Sequence, residues 1–164
     1  MKITKLKKEQ INKELLKDFI KLNNSYSPFL GPLDGIDQLK KLLNMSLYTL
    51  AVMDQKVIKG FCVVFKENSE YESENYKYFN MKHKEFLYID RIGISGDLKQ
   101  KGIGTSMYNY IFNNNKDNVP VCAEVNSIPL NGASISFHLR LGFKDIHKKR
   151  LDDEYELTYF EKQK

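Results

Sequence analysis

The sequence predicts an α+β fold built on a mixed, mostly antiparallel sheet of about seven strands flanked by about four helices. Leu47–Met53 and Val57–Phe65 are β-type runs joined only by Asp54-Gln55-Lys56, short enough for a hairpin and therefore an antiparallel pair. Farther on, a strand pattern at Phe86–Ser95, a helical one at Gly102–Asn115 and a strand pattern at Val119–Val125 form a β-α-β unit, whose outer members run parallel through a right-handed crossover. The 164 residues are 41% hydrophobic and 29% charged, enough for one domain with its own core and too few for two.

The elements follow in order. Lys2–Lys7 alternates Ile3 and Leu6 with polar neighbours and reads as a first strand. Glu9–Leu22 places Ile11, Leu15, Leu16, Phe19 and Leu22 at helical spacing. This helix stops in Asn23-Asn24-Ser25-Tyr26-Ser27-Pro28, and the breaker-rich Gly31-Pro32-Leu33-Asp34-Gly35 leads to a second helix near Asp37–Met45. After the hairpin, Glu67–Glu85 is polar and then aromatic, with a helical turn or two around Asn75–Lys82, and reads as an insertion. Beyond the β-α-β unit, a helix spans about Gly132–Leu141, Gly142-Phe143 opens a strand to about Lys149, and Tyr155–Phe160 closes the sheet. The order is β-α-α-β-β-β-α-β-α-β-β.

Composition excludes several classes. No apolar run approaches the ~20 residues a membrane span requires, and MKITKLKKEQ leads into a charged helix, so a cytoplasmic protein is expected. Cys62 and Cys122, each in an apolar strand, are too few for a disulfide framework or a multi-cysteine zinc site, and no metal is assigned. The net charge of +5 is dispersed along the chain. It favours anionic ligands, but no basic run interleaved with aromatics marks a nucleic-acid surface.

Between strand and helix, Lys99-Gln100-Lys101-Gly102-Ile103-Gly104-Thr105-Ser106 removes two Cβ atoms where backbone N–H groups can converge on an anion. A helix start, Lys99, Lys101 and two hydroxyls would add attraction for phosphate; the alternative is a glycine turn before an ordinary helix. No G-x-x-x-x-G-K-[ST] motif is present, and Met107 stands where a dinucleotide fingerprint has its third glycine. In the preceding strand Gly93 marks a bulge or the close approach of another backbone. A ligand with amide groups fits there as an added strand on Ile92 and Ile94, its phosphates on the glycine loop, as in pantetheine joined to a pyrophosphate.

These residues resemble the GNAT acetyltransferase superfamily, whose acyl-CoA motif is [RQ]-x-x-G-x-[GA]. Lys99-Gln100-Lys101-Gly102-Ile103-Gly104 matches it, with Lys99 in place of Arg or Gln. A second block, Asn131, Ser134, Phe137, His138, Arg140, Gly142 and Phe143, resembles the later motif N-x-x-[AS]-x-x-F-Y-x-[KR]-x-G-F. The likeness covers nearly the whole chain; its least typical part is the tyrosine-rich Tyr71–Phe79, similar to inserts of a poorly characterised bacterial subgroup. The resemblance implies direct transfer of acetyl from acetyl-CoA to an amine, with Ile92, Gly93, Ile94, Lys99, Gln100, Lys101, Gly102, Ile103, Gly104 and Thr105 on the cofactor. Asn131 either joins them or caps its helix.

Such chemistry requires a base for the ammonium, an N–H donor for the thioester oxygen, and is helped by an acid for the thiolate. Glu124 matches the family's base position, with Asp90 on the neighbouring strand as second choice, and the Ile94 N–H is the expected donor. His138 stands where relatives carry a tyrosine acid; it either protonates sulfur as imidazolium or packs beside Phe137. The acceptor would lie among Asn23–Gly35, Tyr71–Phe79 and Asp152-Asp153-Glu154, whose acidic and aromatic groups suit a cationic amine. The competing function is an acyl-CoA-binding sensor or scaffold without turnover. Homodimers are common among similar proteins.

Overall fold

The computed structural model describes residues 2–163. In chain order the elements are β1 (Ile3–Lys5), α1 (Lys13–Asn24), α2 (Ile36–Met45), β2 (Tyr48–Asp54), β3 (Val57–Lys66), α3 (Glu74–Lys82), β4 (Leu87–Ile94), α4 (Ile103–Asn114), β5 (Val121–Ile128), α5 (Gly132–Arg140), β6 (Lys144–Arg150) and β7 (Glu156–Lys162). The seven strands lie in the order β1-β2-β3-β4-β5-β7-β6, and β4–β5 is the parallel pair among otherwise antiparallel neighbours. The predicted mixed sheet and its late parallel crossover are therefore present. The stretch 67–85, expected to be an insertion, holds a full helix, α3, where the sequence pattern shows a turn or two. Ser73 caps it by accepting from the Tyr76 N–H, and only Tyr76 and Phe79 are buried from it, too few for a clear helical period.

Alternation along the strands sorts the core into two layers. Phe61, Val63 and Phe65 of β3 face one side of the sheet with Leu16, Phe19, Leu39, Tyr76 and Phe79; Cys62 and Val64 face the other with Met107, Tyr108 and Ile111 of α4. Thus α1, α2 and α3 cover one face and α4 the opposite one. The two cysteines are buried in different layers, which separates them as free thiols. Helix α3 is fastened at its end by His83, whose Nε2 lies 2.6 Å from the Glu161 carboxylate on β7. Its inner side chains join an aromatic wall in which Tyr76 and Phe79 pack against Phe65, Phe86, Tyr88 and Tyr159.

Candidate active site

Strands β4 and β5 are in register only from Leu87–Val121 to Ile89–Ala123. Past that point, β4 continues alongside β3, with Gly93 opposite Phe61 and the Ser95 N–H donating to Lys59 O. Alternation then turns the polar groups of Ile92 and Ile94 away from β3, toward the side where β5 has parted. This part of β4 has no register partner on that side. At Ile94 one side chain takes that place: the Tyr26 hydroxyl accepts from the Ile94 N–H at 2.9 Å and donates to the Ile94 carbonyl at 2.5 Å.

The glycine in this strand has a different cause from a ligand's approach. A Cβ on Gly93 would stand 2.6 Å from Phe61 Cζ, so the missing side chain makes room for a ring that stacks on Phe19 with centroids 4.0 Å apart. The irregularity of β4 lies earlier, at Asp90, where pairing steps from Val63–Arg91 to Val64–Ile89.

From Ser95 the chain makes a short 3-10 turn over Gly96–Leu98, with Leu98 buried as an anchor and Lys59 paired to Asp97 at 3.1 Å. Lys99, Gln100 and Lys101 are exposed. Gln100 and Gly102 both take the left-handed conformation, at φ 60° and 76°, and reverse the chain into α4. Gly102 caps α4 without a side-chain bond, and the first amide to reach back is Ser106 N–H, to Gly102 O. The amides of Ile103, Gly104 and Thr105 are the orphan donors of a helix start, an arrangement suited to phosphate oxygens. Gly104 brings this turn close to the strand, since a Cβ there would lie 3.4 Å from Ile94 Cδ1 and Phe137. Lys99 extends its ammonium over the Tyr26 ring, 4.9 Å from the centroid.

On the face covered by α3, Glu124 of β5 is held at both oxygens. Tyr88 OH donates to Oε2 at 2.7 Å and Asn75 Nδ2 to Oε1 at 3.2 Å, while Asn75 Oδ1 accepts from Tyr159 OH at 2.7 Å. Burial and then the nearby Asp90 charge push the Glu124 carboxyl up to about 8, against the two hydrogen bonds and Arg91, which favour the anion. Asp90 is committed elsewhere: its oxygens accept from Tyr71 OH at 2.7 Å and from Arg91 Nε at 2.6 Å. The same guanidinium continues to Asn23 Oδ1 and Gly31 O, tying β4 to the end of α1 and the loop after it.

His138 is placed in the core, 2% exposed. Its Nε2 meets Tyr108 OH at 2.8 Å and its Nδ1 the Ser134 carbonyl at 2.8 Å, so Tyr108 donates to Nε2 and Nδ1–H to the carbonyl. Burial lowers its pKa to about 4, against the Ser134 bond. The ring is neutral and fastens α5 to α4, which differs from an imidazolium acid at the cofactor. Asn131 caps α5 through the Ser134 N–H at 3.3 Å. Glu124 and Asp90 thus stand together on one face, while His138 and Asn131 belong to the α5 side. Sequence reasoning missed Tyr26, Asn75, Tyr88, Tyr71 and Arg91. Tyr26, Tyr71 and Asn75 lay unmarked in the rim loop and the insertion, and Tyr88 and Arg91 are three apart in β4, brought to one face only by the irregularity at Asp90.

No protein-family model and no curated protein matches the chain. Solved structures do. An aminoglycoside 6'-N-acetyltransferase complexed with coenzyme A is 12% identical, with a TM-score of 0.74 over 99% of this chain and 97% of that one. Arabidopsis thaliana NAA60 in complex with a bisubstrate analogue is 15% identical, with a TM-score of 0.73 over 99% and 98%. The ribosomal-protein-S18-alanine N-acetyltransferase of Escherichia coli is 13% identical, with a TM-score of 0.68 over 98% and 91%. The chain has the fold of the GNAT N-acetyltransferases. Among the described residues no helix is long and apolar enough to cross a membrane.

Proposed function

We propose that the chain is an N-acetyltransferase that moves an acetyl group from acetyl-CoA directly to a primary amine of a small molecule, an amino acid or a peptide N-terminus. The observation that carries this reading is the parting of β4 from β5 after Ile89, which leaves an open strand edge at the foot of the uncapped α4. An amide-bearing arm fits the edge, and a diphosphate fits the amides of Ile103, Gly104 and Thr105 with Lys99 and Lys101 beside them. Acetyl-CoA supplies the activated thioester; the chain supplies the rest.

Glu124, poised near neutrality, takes the proton of the incoming ammonium directly or through one water. The Ile94 N–H donates to the thioester oxygen as negative charge grows on it. Asp90 serves Arg91 and Tyr71 rather than the proton, and its charge helps keep Glu124 basic. A thiolate whose parent thiol has a pKa of about 8.5 leaves without a protein acid, so His138 needs no chemical role. The acidic and aromatic surroundings favour a cationic acceptor, and no step of this reading calls on a metal.

The test is release of free thiol from acetyl-CoA over a panel of amines, beside calorimetry with acetyl-CoA alone. Turnover with at least one amine supports the reading. Binding without turnover by any amine assigns the chain to acyl-CoA sensing instead, and no binding removes both.

A further inference from the structure

We propose that Tyr26 is a positioning residue that holds the cofactor edge of β4 in the free protein and is displaced by acetyl-CoA, so that filling one substrate site releases the rim of the other. The inference rests on the acetyltransferase reading above. Its ground is that one side chain engages two separate groups of the chain that this reading gives to the cofactor, the Ile94 backbone and Lys99. The Tyr26 hydroxyl takes both polar groups of Ile94, as acceptor from the N–H at 2.9 Å and as donor to the carbonyl at 2.5 Å. Its ring receives the Lys99 ammonium at 4.9 Å, and Lys99 opens the loop that faces the diphosphate. A hydroxyl that both accepts and donates on one strand residue satisfies it as an added strand would. It therefore competes directly with an amide-bearing arm, and the thioester oxygen cannot receive the Ile94 N–H while Tyr26 does.

Tyr26 belongs to a turn that extends α1, with Tyr26 N–H on Asn23 O, Ser27 N–H on Asn24 O and Phe29 N–H on Tyr26 O. The loop beyond is anchored independently. Asn23 Nδ2 and Arg91 Nη1 both donate to Gly31 O, and Asn24 exchanges two hydrogen bonds with Leu33. Release of Tyr26 is thus confined to residues 25–30, between the last turn of α1 and the Gly31 anchor. This stretch borders the space expected for the amine.

The experiment compares acetyl-CoA affinity by calorimetry for wild type and Tyr26→Phe, and follows amide hydrogen exchange of wild type with and without acetyl-CoA. Tyr26→Phe keeps the ring under Lys99 and removes the competing hydroxyl, so it should bind about fivefold more tightly. A purely structural role would weaken binding or leave it alone. In wild type, acetyl-CoA should slow exchange at residues 92–94 and 102–105 while speeding it at 25–30, opposite in sign to ordinary ligand protection. Unchanged or weaker binding by the variant, or slowed exchange at 25–30, overturns the proposal. No uptake by either protein overturns the acetyltransferase reading as well, a failure distinguishable from the others.

Discussion

Asn75 donates to Glu124 at 3.2 Å and accepts from Tyr159 at 2.7 Å, so the helix between β3 and β4 fixes one side of the carboxyl proposed as base. The Asn75 amide stabilises the ionised form of Glu124. Removing it by Asn75→Ala leaves burial and Asp90 less opposed and raises the carboxyl further above its ordinary range. The alkaline-rising limb of kcat/KM should move to higher pH in this variant, read from rates over about pH 6 to 10.

Glu124→Gln keeps the shape and the Tyr88 contact and removes the proton acceptor. We expect kcat to fall by about 10²–10⁴-fold, with acetyl-CoA affinity retained. In wild type the rate should rise with pH through an inflection near 8, because the ionised carboxyl is the active form. The inflection should be lost in Glu124→Gln. Steady-state thiol release with calorimetry separates the two effects.

His138 affects stability rather than chemistry. Its pKa is lowered to about 4 in the folded chain, so as pH falls below the ordinary imidazole value of about 6.5 the unfolded chain takes up its proton first. Stability from this group is complete above about 6.5 and is lost as pH falls through 4, a change on the order of 3 kcal/mol. His138→Phe should flatten that acid limb, leave Tyr108 OH without its partner at a cost of about 1–3 kcal/mol, and keep turnover per folded molecule close to wild type. Urea titrations at several pH values, with rates normalised to folded protein, check this.

Gly93→Ala places a methyl 2.6 Å from Phe61 Cζ, and the ring cannot retreat freely because Phe19 is stacked behind it. A loss of about 1–3 kcal/mol is expected from the forced shift. Denaturant unfolding measures it, and Phe61→Leu should relieve part of the penalty if the clash is the cause.

Local chemistry was legible in the sequence where it is settled by neighbours along the chain. The Asp54-Gln55-Lys56 hairpin, the glycine turn at Gly102 and the Asn131 cap need only a few residues to define them. Gly93 was recognisable as special, but the ring that requires it comes from the facing strand. Tyr26 and Asn75 lay in segments noted as rim and insertion. Their partners, Ile94 and Glu124, are set by how those segments fold back on the sheet, which no local period encodes. The His138 environment was hidden for the same reason: the Tyr108 hydroxyl that accompanies its burial arrives from another helix.

Because β7 is inserted between β5 and β6, the strand bearing Glu124 gains its second neighbour only when β7, later in the chain, folds in. Tyr159, which orients Asn75, arrives with it. A chain cut before Glu156 would lack Tyr159, and with it the clamp on Asn75 and Glu124, and would leave the margin of β5 bare and open to self-association.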